Sequence, residues 1–377
     1  MPRSMRLLLD ARPLQGPTGA RGVGGYVRAL ANGLLLSEPA LELVLLFDPR
    51  AGELLAAPTG PRVHLLAAGG PPGPAIVWGR LLGPRWLRRG QARLWHATFL
   101  AAPRVPAGMP WVATIHDLIP LRHPRRFTRR QRIVFSRSLR WACAAPRVIA
   151  VSHATASQLD RELGVDPRRV VVIPPPLEAE LYEAAPDRGI EGLDGPYVIH
   201  LGGFDPLKGV VTRLLPAFAE LAQEQAGLRL VLTGGTRAAQ APARAFVEQH
   251  RLHDKVLFTG QLEAPARRAA IAGAAVVAVS SDEEGFGLPA AEALALGVPL
   301  AVGPARATRK LAGNLAALST DDSAPGFARA LRQALASGGP DSPEGSARRR
   351  HARQFSPAEV ARRMLALYSA VIEEAGA

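Results

Sequence analysis

Two carboxylates flank a glycine-rich turn in the second half of the chain, where residues 280–299 read SSDEEGFGLPAAEALALGVP. Glu284 precedes the turn and Glu292 follows it, with seven residues between them. The apolar run 275–279 predicts a buried strand before the turn, and the proline and alanines after it predict a helix start. Backbone amides at a helix start favour anions. These groups together could hold a molecule that is both hydroxylated and phosphorylated.

This segment resembles the carboxylate loop of retaining GT-B glycosyltransferases of family 4, of the mannosyltransferase-like, cell-surface polysaccharide type. That family shows an EGFGLP-like run, a second glutamate eight positions after the first, and a small-residue turn such as LGVP. The resemblance implies a nucleotide-diphosphate sugar as co-substrate and no separate cofactor. The implied donor-binding residues of this loop are Glu284, Gly285, Phe286, Gly287, Leu288 and Glu292. The alternative is a pair of solvated surface charges beside an ordinary turn.

Lys208 follows the first predicted strand of the second half, in the segment YVIHLGGFDPLKG. A flexible ammonium group in such a loop can reach a diphosphate as a point charge. The segment is similar to the family's strand-loop-Lys-Gly pattern, which implies that Lys208 binds phosphate and stabilises the leaving group. The family often carries arginine at the position of Gly203. Helix-start amides, aided by Arg306 or Arg309, are expected to supply the remaining charge.

A glycine cluster in residues 22–25 follows the first predicted strand and opens a helix. Glycines at such a position allow the backbone to approach a phosphate closely. Glycine clusters also mark ordinary turns, and the position in the first strand-loop-helix favours the phosphate role. We therefore expect Gly24 and Gly25 to contribute to donor binding.

His116 follows an apolar strand in the segment TIHDLIP. This segment resembles the family's HD motif, which implies that His116 contacts the donor sugar and the reaction centre. Asp117 is expected to orient the loop. Ser152 and His153, after a further strand, are candidates for the acceptor side. The implied catalytic residues are therefore Glu284, Lys208 and His116.

Short apolar runs alternate with helical patterns in both halves of the chain, as in parallel α/β sheets. Three prolines at 174–176 interrupt the alternation and predict an interdomain linker. We predict a Rossmann-like domain over residues 1–178, a second over 190–356, and a surface loop at 338–346. The amphipathic stretch 357–377 predicts a final helix. The resemblance implies the GT-B fold, in which two doubly wound domains face a central cleft and this helix returns to the N-terminal domain.

Composition narrows the class of protein further. With 377 residues, the chain can bury two cores of ordinary size. Its single cysteine, Cys143, excludes an internal disulfide and a cysteine-based metal site. No carboxylate pair of the Asp-x-Asp kind is present, so we predict no metal site. No apolar run is long enough to span a membrane, and the apolar run at the start of the chain is too short for a signal peptide. We predict a cytoplasmic protein.

Residues 80–140 contain fourteen arginines and one acidic residue, so this basic segment carries almost all of the net charge of +14. Its arginines alternate with apolar side chains, a pattern typical of an amphipathic surface on anionic lipid. The apolar members are Trp86, Leu87, Phe127, Ile133 and Phe135. A solvated basic face is the alternative. Nucleic acid could use the same charge, but no nucleic-acid-binding module is evident, so we predict none.

The resemblance implies a retaining transferase, and the missing Asp-x-Asp pair predicts that it is metal-independent. It would move a hexose such as mannose from a GDP- or UDP-sugar to a glycan or lipid-linked acceptor, at the inner face of a membrane. A sugar-nucleotide epimerase or a phosphorylase remains an alternative, since both occur on the GT-B fold. A GT-B-like binding protein without catalysis is a further alternative, favoured by the missing arginine at Gly203.

Overall fold

The computed structural model describes residues 5–16, 19, 22–69, 75–100, 103–183 and 189–376. Some predictions extend beyond these ranges. The signal-peptide assessment involves residues 1–4, the basic segment includes residues 101–102, the stretch between the predicted domains includes residues 184–188, and the final helix was predicted to include Ala377. These residues lie outside the described part of the chain.

The strands and helices are numbered in chain order. The strands are β1 (Arg6–Asp10), β2 (Glu42–Phe47), β3 (Val63–Ala67), β4 (Leu94–Ala97), β5 (Trp111–Ile115), β6 (Arg147–Ala150), β7 (Val170–Val172), β8 (Tyr197–His200), β9 (Arg229–Thr233), β10 (Val256–Gly260), β11 (Val276–Val279), β12 (Leu300–Val302) and β13 (Ala317–Leu318). The helices are α1 (Val23–Ser37), α2 (Ala75–Arg89), α3 (Ile119–Arg122), α4 (Arg129–Ala142), α5 (His153–Leu163), α6 (Leu215–Glu224), α7 (Arg237–Gln249), α8 (Ala264–Ala272), α9 (Leu288–Leu296), α10 (Arg306–Ala312), α11 (Ala324–Leu335), α12 (Pro343–Ala352) and α13 (Pro357–Gly376).

The chain divides into two compact units, Met1–Glu178 with Phe355–Ala377, and Ala179–Gln354. The first unit contains a sheet in the order β3-β2-β1-β4-β5-β6-β7. Every neighbouring pair in it is parallel. Its central strands β4 and β5 are buried at every position and mostly apolar, as a sheet covered on both faces requires. The strand order reverses between β1 and β4, and ligands of doubly wound sheets bind at the carboxyl ends of strands beside such a point.

The last helix, α13, belongs to the first unit and packs along α1. Its apolar positions follow helical spacing, so one face enters the core formed by β1, β2 and α1. Val360, Met364 and Tyr368 on that face are fully buried. One face of α13 is therefore part of the core of the first unit.

The second unit contains a sheet in the order β10-β9-β8-β11-β12-β13, again with parallel pairs throughout. Phe218 of α6 and Phe327 of α11 are fully buried on one face of this sheet. The order reverses between β8 and β11, so the loops after these two strands meet at one point of the sheet edge. The prediction of two Rossmann-like sheets is confirmed.

Two local predictions need correction. The predicted surface loop at 338–346 ends early, because α12 begins at Pro343 with Ser342 as its N-cap. The prolines at 174–176 are buried within the first unit, and the division between the units falls after Glu178. Across the described residues, the helices are too short or too polar to cross a membrane.

Candidate active site

Two loops meet at the point where the strand order of the second sheet reverses. The loop after β8 forms a 3-10 turn, Pro206–Lys208, that ends in Lys208. The side chain of Asp205 caps this turn by accepting a hydrogen bond from the Leu207 amide. The loop after β11 carries Glu284 and leads into α9. The topology thus brings together two residues that are 76 positions apart in the sequence.

Lys208 and Glu284 form an ion pair at the centre of this site. The Lys208 ammonium donates to Glu284 Oε1 at 2.7 Å, and the Ser281 hydroxyl donates to the same oxygen at 2.7 Å. The side chains of Lys208 and Glu284 are 23% and 12% exposed, so both are reachable by a ligand yet shielded from bulk water. The site therefore presents a cation beside a carboxylate, both within reach of a ligand. Sequence reasoning did not find Ser281.

Backbone contacts fix the two loops against each other. The Asp282 amide donates to the Leu207 carbonyl, and the Ser280 hydroxyl donates to the Lys208 carbonyl. Between them, Gly209 has a φ of +64°, and a Cβ there would lie 2.3 Å from the Ser280 carbonyl oxygen. Only glycine fits this left-handed, close approach. The distance between Lys208 and Glu284 is therefore set by the backbone as well as by their charges.

Arg213 is a buried arginine that contacts the loop carrying Glu284, and it was not predicted from the sequence. Its guanidinium donates to the carbonyls of Ser280 and Asp322 and to the carboxylate of Asp282. Its side chain is 6% exposed, and such a buried cation is tolerated when its donors are satisfied. Arg213 thus supports the loop that carries Glu284. Its signal in the sequence is weak, because its partners are about 70–110 positions away.

Glu292 lies on α9, the helix that follows the glycine turn. The preceding turn is half-buried at Gly285 and buried at Phe286 and Gly287, and Leu288 begins the helix. Glu292 is paired with Arg267 of α8, and its side chain is 14% exposed. The second carboxylate is therefore also held by a cation. Sequence reasoning did not find Arg267.

His116 lies in the first unit, directly after β5. Its Nε2 is 2.9 Å from the Thr98 carbonyl oxygen, and burial lowers its pKa to about 4, partly offset by that hydrogen bond. The ring is therefore neutral near pH 7. Because a carbonyl only accepts, Nε2 carries the proton and Nδ1 is an acceptor. Asp117 accepts a hydrogen bond from the Ile119 amide and so shapes the loop.

The remaining candidates of the first unit lie at helix starts. Gly24 and Gly25 are in the first turn of α1, where Gly24 is buried and Gly25 is half-buried. Ser152 is the N-cap of α5, and its hydroxyl accepts a hydrogen bond from the Thr155 amide. His153 is the first residue of that helix.

The two arginines expected to assist Lys208 differ in their surroundings. Arg309 donates to the carbonyls of Ser319 and Gly303, so it holds neighbouring backbone. Arg306 is exposed at the start of α10. Within the described ranges, no group of three or more histidine, cysteine, aspartate or glutamate side chains is arranged to hold a metal ion.

The basic segment needs a correction. Trp86 and Leu87 are 5% and 1% exposed and pack into the core, so they cannot meet a membrane. Phe127 and Phe135 are half-buried. Ile133 is 45% exposed on α4, and its neighbour Val134 is 42% exposed. The apolar surface of this segment is therefore narrower than predicted.

Comparison with known proteins identifies the class. Residues 20–181 match the family described as Glycosyltransferase Family 4, and residues 184–353 match Glycosyl transferases group 1. The structure is similar to sucrose-phosphate synthase from Thermosynechococcus elongatus, with a TM-score of 0.75, 21% identity, and 98% of this chain and 100% of the other covered. The fold is therefore that of the GT-B glycosyltransferases, as predicted. Within this class, the chain belongs to glycosyltransferase family 4.

Curated relatives match part of the chain. D-inositol 3-phosphate glycosyltransferase of Segniliparus rotundus is 30% identical over 210 residues, which cover 51% of this chain and 45% of the relative. MMP alpha-(1->4)-mannosyltransferase of Mycolicibacterium hassiacum is 29% identical over 224 residues, covering 55% of this chain and 51% of the relative. The chain thus spans about half the length of these relatives.

Proposed function

We propose that this protein is a retaining glycosyltransferase that moves a hexose from a nucleotide-diphosphate sugar to a glycan or lipid-linked acceptor without a metal ion. The 2.7 Å contact between Lys208 and Glu284 carries the proposal. It places a cation suited to a diphosphate beside a carboxylate suited to sugar hydroxyls, at the reversal point where doubly wound sheets bind ligands. Membership of glycosyltransferase family 4 supports the same reading.

We assign each residue of the second unit to one part of the donor molecule. Glu284 hydrogen-bonds sugar hydroxyls near the anomeric carbon, and the amides of Gly285, Phe286, Gly287 and Leu288 approach the sugar and phosphates. Glu292 accepts hydrogen bonds from the ribose hydroxyls. Lys208 stabilises the β-phosphate as it departs, which is electrostatic stabilisation of the transition state. The bond from the anomeric carbon to the phosphate oxygen breaks, and the acceptor oxygen bonds to that carbon on the same face. The departing phosphate oxygen takes the acceptor's proton.

The first unit contributes the neutral ring of His116, which we assign to the donor sugar. With Nε2 bound to the Thr98 carbonyl, Nδ1 can accept a hydrogen bond from a sugar hydroxyl. Gly24 and Gly25 are assigned to the phosphates through amides at the start of α1. The acceptor side is assigned to Ser152 and His153.

The reaction itself provides the first test. UDP-, GDP- and ADP-sugars are screened by thermal shift, and the donor that stabilises the protein is incubated with glycan and lipid-linked acceptors. We expect release of the nucleoside diphosphate at an unchanged rate in EDTA, and a product whose anomeric configuration, read by NMR, equals that of the donor. Strict dependence on Mn²⁺ or Mg²⁺ would contradict metal independence. Binding without turnover would identify a binding protein, and epimerised donor or phosphate-dependent cleavage would identify the alternative enzymes.

We further propose that α4 docks the protein on an anionic membrane. Ile133 and Val134 are exposed on α4, and Arg130 and Arg137 are exposed three or four positions from them on the same face. Each basic residue near such a surface contributes about 1 kcal/mol, and two apolar side chains can enter the headgroup layer. Attachment of this kind is reversible and sensitive to salt.

Vesicle sedimentation tests this docking surface. We expect binding to vesicles with anionic lipid at low salt. The double variant Arg130→Glu with Arg137→Glu should bind at least about tenfold more weakly, because it lowers the charge of this face by four units. The matched control is Arg350→Glu with Arg353→Glu, two exposed arginines of the second unit. Equal losses of vesicle binding in the two double variants would attribute binding to the net charge of the protein and not to α4. Binding to neutral vesicles alone would contradict docking on an anionic membrane.

A further inference from the structure

A chain of buried polar side chains runs from the C-terminal helix α13 towards His116. The Tyr368 hydroxyl is 2.7 Å from His96 Nδ1, and His96 Nε2 is 2.8 Å from the Thr114 hydroxyl. The Thr114 hydroxyl is in turn 3.0 Å from the hydroxyl of Tyr26 on α1. All four side chains are at most 2% exposed. Each polar atom of these four side chains has a hydrogen-bond partner within the chain.

The last member of this chain touches His116. The rings of Tyr26 and His116 meet edge to face, with centroids 4.9 Å apart and an interplanar angle of 83°. His116 Nε2 is fixed on its other side by the Thr98 carbonyl, and the Thr98 hydroxyl donates to the carbonyl of Asp10. The imidazole is therefore held by a ring contact and by a hydrogen bond. Both supports are themselves anchored by buried hydroxyl groups.

The chemistry of the chain favours a role beyond packing. A buried hydroxyl or imidazole costs free energy unless it is paired, and an apolar residue would fill the same space without that cost. A linked set of hydrogen bonds in a low-dielectric interior instead fixes each ring in one orientation. Burial, and to a lesser extent the nearby His116, lowers the pKa of His96 to about 3, so His96 stays neutral. A neutral ring donates at one nitrogen and accepts at the other, and the hydroxyl groups of Tyr368 and Thr114 can take either role.

We propose that Tyr368, acting through His96, Thr114 and Tyr26, is a positioning residue for His116. This inference rests on the proposed glycosyl transfer, in which His116 places the donor sugar. It gives the C-terminal helix a part in the reaction. Tyr368 is 272 positions from His96 in the sequence and reaches it because α13 belongs to the first unit.

The test removes one hydroxyl group at a time. Tyr368→Phe keeps the buried ring and loses only the contact with His96, so we expect kcat to fall about tenfold while KM for the donor changes less than about twofold. In a His116→Ala background, the same substitution should have no further effect on kcat, because its influence passes through His116. Tyr26→Phe should behave in the same way and leaves α13 intact. The control is Tyr182→Phe, which removes a hydroxyl that donates to the Ala352 carbonyl in the second unit. Its kcat should be unchanged.

Two results would overturn the inference. One is an unchanged kcat in both Tyr368→Phe and Tyr26→Phe, and the other is an equal fall of kcat in the wild-type and His116→Ala backgrounds. Imidazole NMR gives a readout that needs no activity. The His116 resonances, assigned by their loss in His116→Ala, should shift or broaden in Tyr368→Phe and not in Tyr182→Phe. A wild-type protein that turns over no donor would contradict the proposed function, whereas unperturbed His116 resonances would contradict the positioning role.

Discussion

Replacing Glu284 with alanine is expected to remove nearly all transfer activity, with a fall in kcat of at least about 10²–10³-fold. Two loops hold this carboxylate in place, since Lys208 of the loop after β8 and Ser281 of the loop after β11 both donate to Glu284 Oε1. In the proposed reaction, the same carboxylate accepts hydrogen bonds from sugar hydroxyls near the anomeric carbon. Alanine removes the hydrogen bonds to the sugar hydroxyls and leaves the Lys208 ammonium without the carboxylate to which it donates. The measurement is the rate of nucleoside diphosphate release at saturating donor.

Two further variants separate charge from structure. Glu284→Gln keeps the shape of the side chain and removes its charge, so a similar loss would assign the effect to the carboxylate itself. Glu224→Ala removes an exposed glutamate of α6 that pairs with Arg332, and it should leave kcat unchanged. Thermal unfolding of each variant checks that the fold persists. Turnover at the wild-type rate in Glu284→Ala would remove this residue from the mechanism.

Much of the fold could be predicted from the sequence because the central strands of both sheets are short apolar runs. β4, β5, β8 and β11 are buried on both faces, so every position in them is apolar or internally paired. β3 was not predicted, because it lies at the sheet edge and mixes exposed with half-buried residues. The boundary at α12 was missed because its sequence, rich in glycine, serine and arginine, has no apolar periodicity.

The site was predictable where its residues are neighbours in the sequence and not where they meet through the fold. The carboxylate loop is continuous, so its glutamates and glycines could be recognised together. Ser281 lies within that loop, but its bond to Glu284 depends on a rotamer that no pattern encodes. Arg213 and Arg267 reach their partners from other helices. The basic segment illustrates the converse limit, because composition located the charge but could not tell buried Trp86 from exposed Ile133.

Replacing Lys208 with alanine is expected to weaken donor binding about tenfold and to lower kcat about 10²-fold, because the departing phosphate loses its cation. The effect should be large in this chain, since Gly203 supplies no charge and Arg213 and Arg309 are engaged with backbone carbonyls. Arginine could not simply be restored at Gly203, where φ is +82°. The control is Lys255→Ala, which removes an ammonium that donates to the Ala222 carbonyl in the same unit. Donor affinity from calorimetry and kcat from product release distinguish the two effects. Unchanged values in Lys208→Ala would assign the phosphates to the amides at the start of α9, whereas loss of kcat alone would confine the lysine to the departure of the leaving group.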